Sequence, residues 1–152
     1  MEHKVKVYLD TSVISALFDD RNPERKQLTE EFLRQAARFD VCVSELTKAE
    51  VGRTPDAGPR RQMLSVVARF PVLPAAADTD RLAREYVRHG AVPQDYAEDA
   101  YHIALAVTAG VAFLLSWNFK HLVRRKTRDV VRMVNTLNGF GPLEIMTPAE
   151  LL

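Results

Sequence analysis

Three acids stand far apart in the sequence at places where a carboxylate can do chemistry. Asp10 follows a stretch in which Val5, Val7 and Leu9 alternate with Lys6 and Tyr8, the period of a strand with one face more buried than the other. Glu50 belongs to "SELTKAEV" and shares a helical face with Leu46, Thr47 and Val51. Asp99 belongs to "EDAYHIALA", four residues before the apolar Ile103. Carboxylates beside apolar stripes are costly to bury unless they are paired, hydrogen-bonded or bound to a metal. Gathered without a matching cluster of bases, the three would repel one another, and a hard divalent cation resolves that repulsion. Oxygen-only ligands point to Mg2+ or Mn2+ rather than zinc. Such an ion can activate water and steady the charge that builds on a phosphodiester during in-line displacement. By spacing alone, satisfied structural carboxylates explain the pattern equally well.

Each acid also has a local alternative. Asp10 can cap the helix that begins with Thr11, or stand as a ligand at the carboxyl edge of a parallel sheet. Glu45 lies in the first turn after Ser44, where a negative charge favours the helix dipole. Glu98 and Asp95 fall further round the helix toward solvent, although Asp95 shares a side with Asp99.

The elements that must position these residues alternate along the chain. The first strand and its short helix give way at "RNP" to a helix in "ERKQLTEEFLRQAARF", then to the strand "DVCVS" and the helix "SELTKAEVGR". "TPDAGP" is the most turn-like stretch. "RRQMLSVVARF" is predicted helical, "PVLPA" a short strand, and "DTDRLAREYVRHG" a helix that Gly90 ends. "PQDYAEDAYHIALAVTAG" is predicted as a long helix with Ala97, Ala100, Ile103, Ala104 and Val107 inside. The continuously apolar "VAFLLS" suits a strand covered on both faces. "WNFKHLV" turns the chain into the helix "RRKTRDVVRMVNTL", and "LEIM" closes as a short strand. Strands alternating with helices predict an α/β fold, a three-layer sandwich around a central, mostly parallel five-stranded sheet.

Composition narrows the class. The 152 residues, 47% hydrophobic, suffice for one core and are too few for two comfortable ones. Basic and acidic side chains number 21 and 20, so no overall field favours nucleic acid or membrane. The lone Cys42 excludes an internal disulfide framework and fits packing in a reducing compartment. The polar start carries no signal-peptide pattern, and no apolar run reaches the length of a membrane helix. The expectation is a cytoplasmic protein with no membrane contact.

Four stretches in order, "VYLDTSV", "SELTKAEV", "EDAYHIALA" and "LLSWNFKHLV", resemble the PIN-domain ribonuclease family. They are most similar to VapC-type toxins of bacterial toxin–antitoxin pairs, and the likeness runs through "NGFGPLEIMTP", so residues 1–152 would form a single PIN-like domain. The resemblance implies an endoribonuclease dependent on Mg2+ or Mn2+, with Asp10, Glu50 and Asp99 as its catalytic, metal-binding acids. The family often carries a fourth acid in a Thr-x-Asp-like turn. Here that turn reads Ser116-Trp117-Asn118, with His121 nearby. Asn118 brings no charge to a second ion, which favours one resting ion completed by substrate phosphate over two tightly held ones. The resemblance also implies a homodimer silenced by a VapB-type antitoxin whose C-terminal segment fills the acidic cleft, with the early helices as a surface for that partner.

Supporting residues are assigned by position. Thr11 and Ser12 are expected to donate to Asp10 or to a ligand at the helix start, besides capping; Ser116 and Asn118 flank the site. Lys120, Arg124 and Arg125 are candidates for the RNA backbone, as are Lys126, Arg128 and Arg132, while Arg53, Arg60 and Arg61 form a looser group. A solvated helix face is the commoner meaning of such a run. Trp117 reads as packing or as a base-stacking ring, and His121 as a phosphate contact or a turn cap. Haloacid-dehalogenase-like phosphatases also open on a strand ending in Asp, but their Asp-x-Asp has Ser12 in its second place here. The remaining rival is a PIN-like binding module weakened by Asn118.

Overall fold

A computed structural model describes residues 3–152. In chain order the elements are β1 (Lys6–Leu9), α1 (Thr11–Ala16), α2 (Pro23–Arg34), β2 (Asp40–Ser44), α3 (Glu45–Gly52), α4 (Ala57–Val67) and β3 (Val72–Leu73). They continue with α5 (Thr79–Arg88), α6 (Ala97–Thr108), β4 (Phe113–Leu115), α7 (Arg125–Leu137) and β5 (Glu144–Met146). The five strands form one sheet in the order β3-β2-β1-β4-β5, and every pairing is parallel. From the central β1 the chain builds outward to β2 and β3, then returns to add β4 and β5 on the other side. The strand order therefore reverses between β1 and β4, the place where open parallel sheets leave a crevice at their carboxyl ends.

Helices cover both faces. Val7, Leu9, Val41, Val43 and Leu115 pack with Val13, Ile14, Phe32, Val51, Met63 and Val67 from α1 to α4. Tyr8, Cys42, Leu114 and Ile145 point the other way, against Leu82, Tyr86, Ile103, Ala104 and Val131 from α5 to α7. Each fully buried aliphatic side chain in these layers contributes about 1.5–3 kcal/mol relative to exposure. The expected unequal burial of the first strand is corrected here: Val7, Tyr8 and Leu9 are all fully buried. A central strand has no solvent side, and Tyr8 is accommodated because its hydroxyl lies 2.7 Å from Ser44 Oγ and 2.5 Å from His102 Nδ1.

Several boundaries move for identifiable reasons. The turn-like "TPDAGP" already contains the start of α4, because the Asp56 side chain accepts from Gly58 N. Pro59 then falls in the first turn, where its missing N–H is harmless. The helix expected through "RQAARF" ends at Arg34, and a 3-10 turn over Ala36–Arg38 follows. The long helix begins at Ala97 rather than Pro93, after a 3-10 turn over Gln94–Tyr96, so Ala97 is exposed instead of inward. Before β4, Gly110 takes φ +71° and lets Val111 N bond Ala106 O at 3.0 Å, which delays the strand to Phe113.

Candidate active site

The carboxyl ends of β1 and β4 are neighbours, since Leu9 pairs with Leu115 and Asp10 N bonds Leu115 O at 3.3 Å. Asp10 and Ser116 thus emerge side by side at the point where the strand order reverses. Asp10 is 3% exposed. Its Oδ1 accepts from Ser12 Oγ at 2.6 Å and Val13 N at 3.2 Å, and its Oδ2 accepts from Ser116 Oγ at 2.6 Å. Asp10 itself is therefore the cap of α1, the first of the two roles the sequence offered for it, shared there with Thr11 and Ser12. Ser12 Oγ in turn accepts from Trp117 N at 2.8 Å, and Ser116 Oγ accepts from Asn118 N at 2.9 Å. Both hydroxyls tie the turn after β4 to Asp10. Burial pushes the Asp10 carboxyl above its ordinary range, opposed by His102 and by these donors.

Glu50 reaches the same region from α3. Thr11 Oγ1 donates to its Oε1 at 2.6 Å, so Thr11 serves Glu50 rather than Asp10. His102 Nε2 also meets Oε1, at 2.5 Å. His102 is 2% exposed and lies one turn after Asp99 on α6. One assignment satisfies the whole chain of groups: Ser44 Oγ donates to Tyr8, Tyr8 to His102 Nδ1, and His102 Nε2–H to Glu50. Burial alone would raise the Glu50 carboxyl, but the hydrogen bonds from His102 and Thr11 bring it down to about 2. Sequence reasoning missed His102 as a functional residue, because a lone histidine on an apolar helix face reads as core.

Asp99 is half-buried at the start of α6, and Asn118 Nδ2 donates to its Oδ2 at 3.3 Å. Burial raises its carboxyl to about 6; Asp10 and Glu50 add to the rise, while His102 and Asn118 oppose it. The mutual repulsion expected of the three acids is thus felt in the folded chain. A cavity of about 340 Å3 opens here, walled by Glu50, Asp99, Asp95, Tyr96 and Glu98. Asp95 and Glu98 are exposed, and Glu98 pairs with Arg53 at 3.1 Å across α3 and α6.

The remaining candidates divide. Asn118 holds the turn: its Oδ1 accepts from His121 N at 2.9 Å. Trp117 is a packing residue, its indole N–H bonding Thr29 Oγ1 on α2 at 2.9 Å. The Arg124 guanidinium is turned to Ala91 O at 3.0 Å and Thr127 Oγ1 at 2.8 Å. Arg125 is exposed near Asp129, and Lys120 Nζ lies 5.9 Å from the Tyr96 ring centroid. A second cavity of about 420 Å3, between α7 and β5, is lined by Arg128, Arg132 and Glu150 and contains none of the three acids.

The donor chemistry suits a hard cation, being oxygen from buried or half-buried carboxylates that repel one another. Among the described residues, however, no three His, Cys, Asp or Glu side chains are already gathered closely enough to hold an ion unaided. No helix among the described residues is long and apolar enough to cross a membrane.

Comparison with known proteins agrees with this architecture. The fold is similar to a chain of VapBC2 from Rickettsia felis, in a crystal structure bound to a DNA fragment from its promoter. The TM-score is 0.57 at 12% sequence identity, over 93% of this chain and 97% of that one. No curated protein matches the sequence. The model of the PIN domain matches residues 7–120, taking in all three acids together with Ser116 and Asn118, and the chain belongs to the PIN-domain family.

Proposed function

We propose that this protein is a divalent-metal-dependent endoribonuclease, the VapC-type toxin of a type II toxin–antitoxin pair, formed by a single PIN-like domain over residues 1–152. What supports the reading is the influence of Asp10 and Glu50 on the Asp99 carboxyl near the edge where the strand order reverses, in a chain of a family whose members are generally nucleases. Mg2+ or Mn2+ held by Asp10, Glu50 and Asp99 would supply Lewis acidity toward a phosphodiester and make a water nucleophilic near neutral pH. The chain's own groups prepare that site. Ser12 and Ser116 aim the two Asp10 oxygens, Thr11 and His102 fix Glu50, and Asn118 steers Asp99. Lys120 and Arg125 would meet the RNA backbone, whereas Arg124 would act mainly by bracing Ala91. Cleavage would leave a 5′-phosphate and a 3′-hydroxyl. A homodimer in the cytoplasm, silenced by a VapB-type antitoxin whose C-terminal segment fills the acidic cavity and leans on α2, completes the reading.

A second reading has its own support. Asn118 in the place of a fourth acid, and carboxylates not yet gathered as an ion cage, fit a PIN-like module that binds RNA or protein without cutting. Incubation of the purified protein with structured RNA and Mg2+, against EDTA and Asp10→Asn controls, separates the two. The nuclease reading requires cleavage that EDTA and Asp10→Asn both abolish. Cleavage that survives Asp10→Asn contradicts the site, and RNA left intact under all conditions favours the binding module.

A further inference from the structure

We infer that Tyr8 is a positioning residue for Glu50, acting through the His102 ring, so that the central strand sets Asp10 directly and Glu50 at one remove. The inference rests on the metal-binding reading of the same site. Tyr8 stands two residues before Asp10, on β1, and is fully buried. Its hydroxyl lies 2.5 Å from His102 Nδ1, 2.7 Å from Ser44 Oγ and 3.3 Å from Thr47 Oγ1, so the histidine is the nearest partner. A phenylalanine would fill the same volume in this apolar layer without the cost of burying a hydroxyl, and packing alone therefore does not call for the oxygen.

The neighbours of that oxygen make it a fixed point. Ser44 Oγ accepts from Thr47 N at 3.2 Å where α3 begins, and Thr47 Oγ1 donates to Leu9 O at 3.2 Å, which ties the start of α3 to β1. His102 reaches the same place from α6, its ring edge-on to Tyr8 with centroids 5.7 Å apart and planes at 62°. An imidazole held at one nitrogen can still turn about its Cβ–Cγ bond. With Nδ1 held by Tyr8 the ring direction is set, and Nε2 meets Glu50 Oε1 at 2.5 Å. The same Glu50 oxygen is bonded by Thr11 Oγ1 at 2.6 Å. Glu50 is thus held from α1 by Thr11 and from the core by Tyr8 through His102. Groups standing behind the ligands of a metal site set its affinity through such orientation.

The test is a double-mutant cycle of Mn2+ affinity by calorimetric titration, with wild type, Tyr8→Phe, His102→Leu and the double variant. NMR of the metal-free proteins, labelled at the histidine ring nitrogens, accompanies it. Tyr8→Phe keeps the ring and removes only the oxygen. It should weaken Mn2+ binding by about tenfold, the low end of what groups behind metal ligands contribute. In the His102→Leu background the same change should cost less than about twofold, because the route to Glu50 is already gone. The His102 Nε2–H proton, enclosed between Glu50 and the core, should give a resolved signal in wild type and lose it in Tyr8→Phe as the ring turns. Wild-type affinity in Tyr8→Phe overturns the inference, as does retention of that signal. An equal loss of affinity in both backgrounds also overturns it, by making the role of Tyr8 one of packing. A wild type that binds no Mn2+ overturns the metal reading instead. The NMR comparison then decides for Tyr8 alone, with loss of the signal in Tyr8→Phe supporting its hold on His102 and retention refuting it.

Discussion

Asp99 carries a cost in the folded chain. Its carboxyl titrates at about 6, above the ordinary 3.8, because burial and two neighbouring acids disfavour the charge. An acid whose folded pKa is raised contributes its stability below the unfolded value and loses it as pH climbs through the folded one. The metal-free protein should therefore lose stability between about pH 4 and 6, and Asp99→Asn should not. At pH 8 the variant should be more stable than wild type by about 1–2 kcal/mol, discounted for the solvent that still reaches the group. Urea denaturation at pH 4 and pH 8 measures this, with the difference vanishing at the lower pH. His102 gives a second expectation at this scale. His102→Leu removes the donor that fixes Glu50 and strands the Tyr8 hydroxyl, so Mn2+ affinity should fall about 10–100-fold in a calorimetric titration. The sequence drew attention to the three acids because each sits beside an apolar stripe near the end of an element. His102 was not, since its role exists only once α6 lies beside α3 and β1. One sequence signal was available: His102 follows Asp99 by three residues and so shares its helical face.

Among the elements, a mostly parallel sheet was readable because apolar strands alternate with helices, and the structure makes every strand pairing parallel. Their ends were harder to read, because caps and turns set them. Asp56 and Pro59 sit in a stretch rich in breakers, yet one caps α4 and the other fits its first turn. Gly110 marks the opposite case, a stop that the sequence displays plainly. Its φ of +71° is the left-handed region, and an added Cβ would meet nothing within 4 Å. Gly110→Ala should thus be destabilising through backbone strain alone, by about 1–2 kcal/mol. Thermal denaturation of that variant checks the figure, and an unchanged midpoint would mean the turn relaxes without cost.

For the whole molecule, near-zero net charge made no overall prediction, and the structure shows why local placement matters more. Of the basic residues proposed from sequence, Arg124 and Arg60 are turned to backbone carbonyls, while Lys120 and Arg125 remain near the surface. Sequence runs report charge but not direction, which is why the basic group was only partly legible. RNA binding carried by exposed cations such as Lys120, Arg125, Lys126, Arg128 and Arg132 should weaken as salt rises, with a slope that titration from about 50 to about 200 mM salt would reveal. The central claim is that Asp10, Glu50 and Asp99 act together on one divalent ion. Calorimetric titration of Mn2+ into the purified protein at pH 7.5 tests it most directly. One ion should bind per chain, and Asp10→Asn should lose that binding. Absence of binding by wild type, or an unchanged isotherm for Asp10→Asn, would contradict that claim.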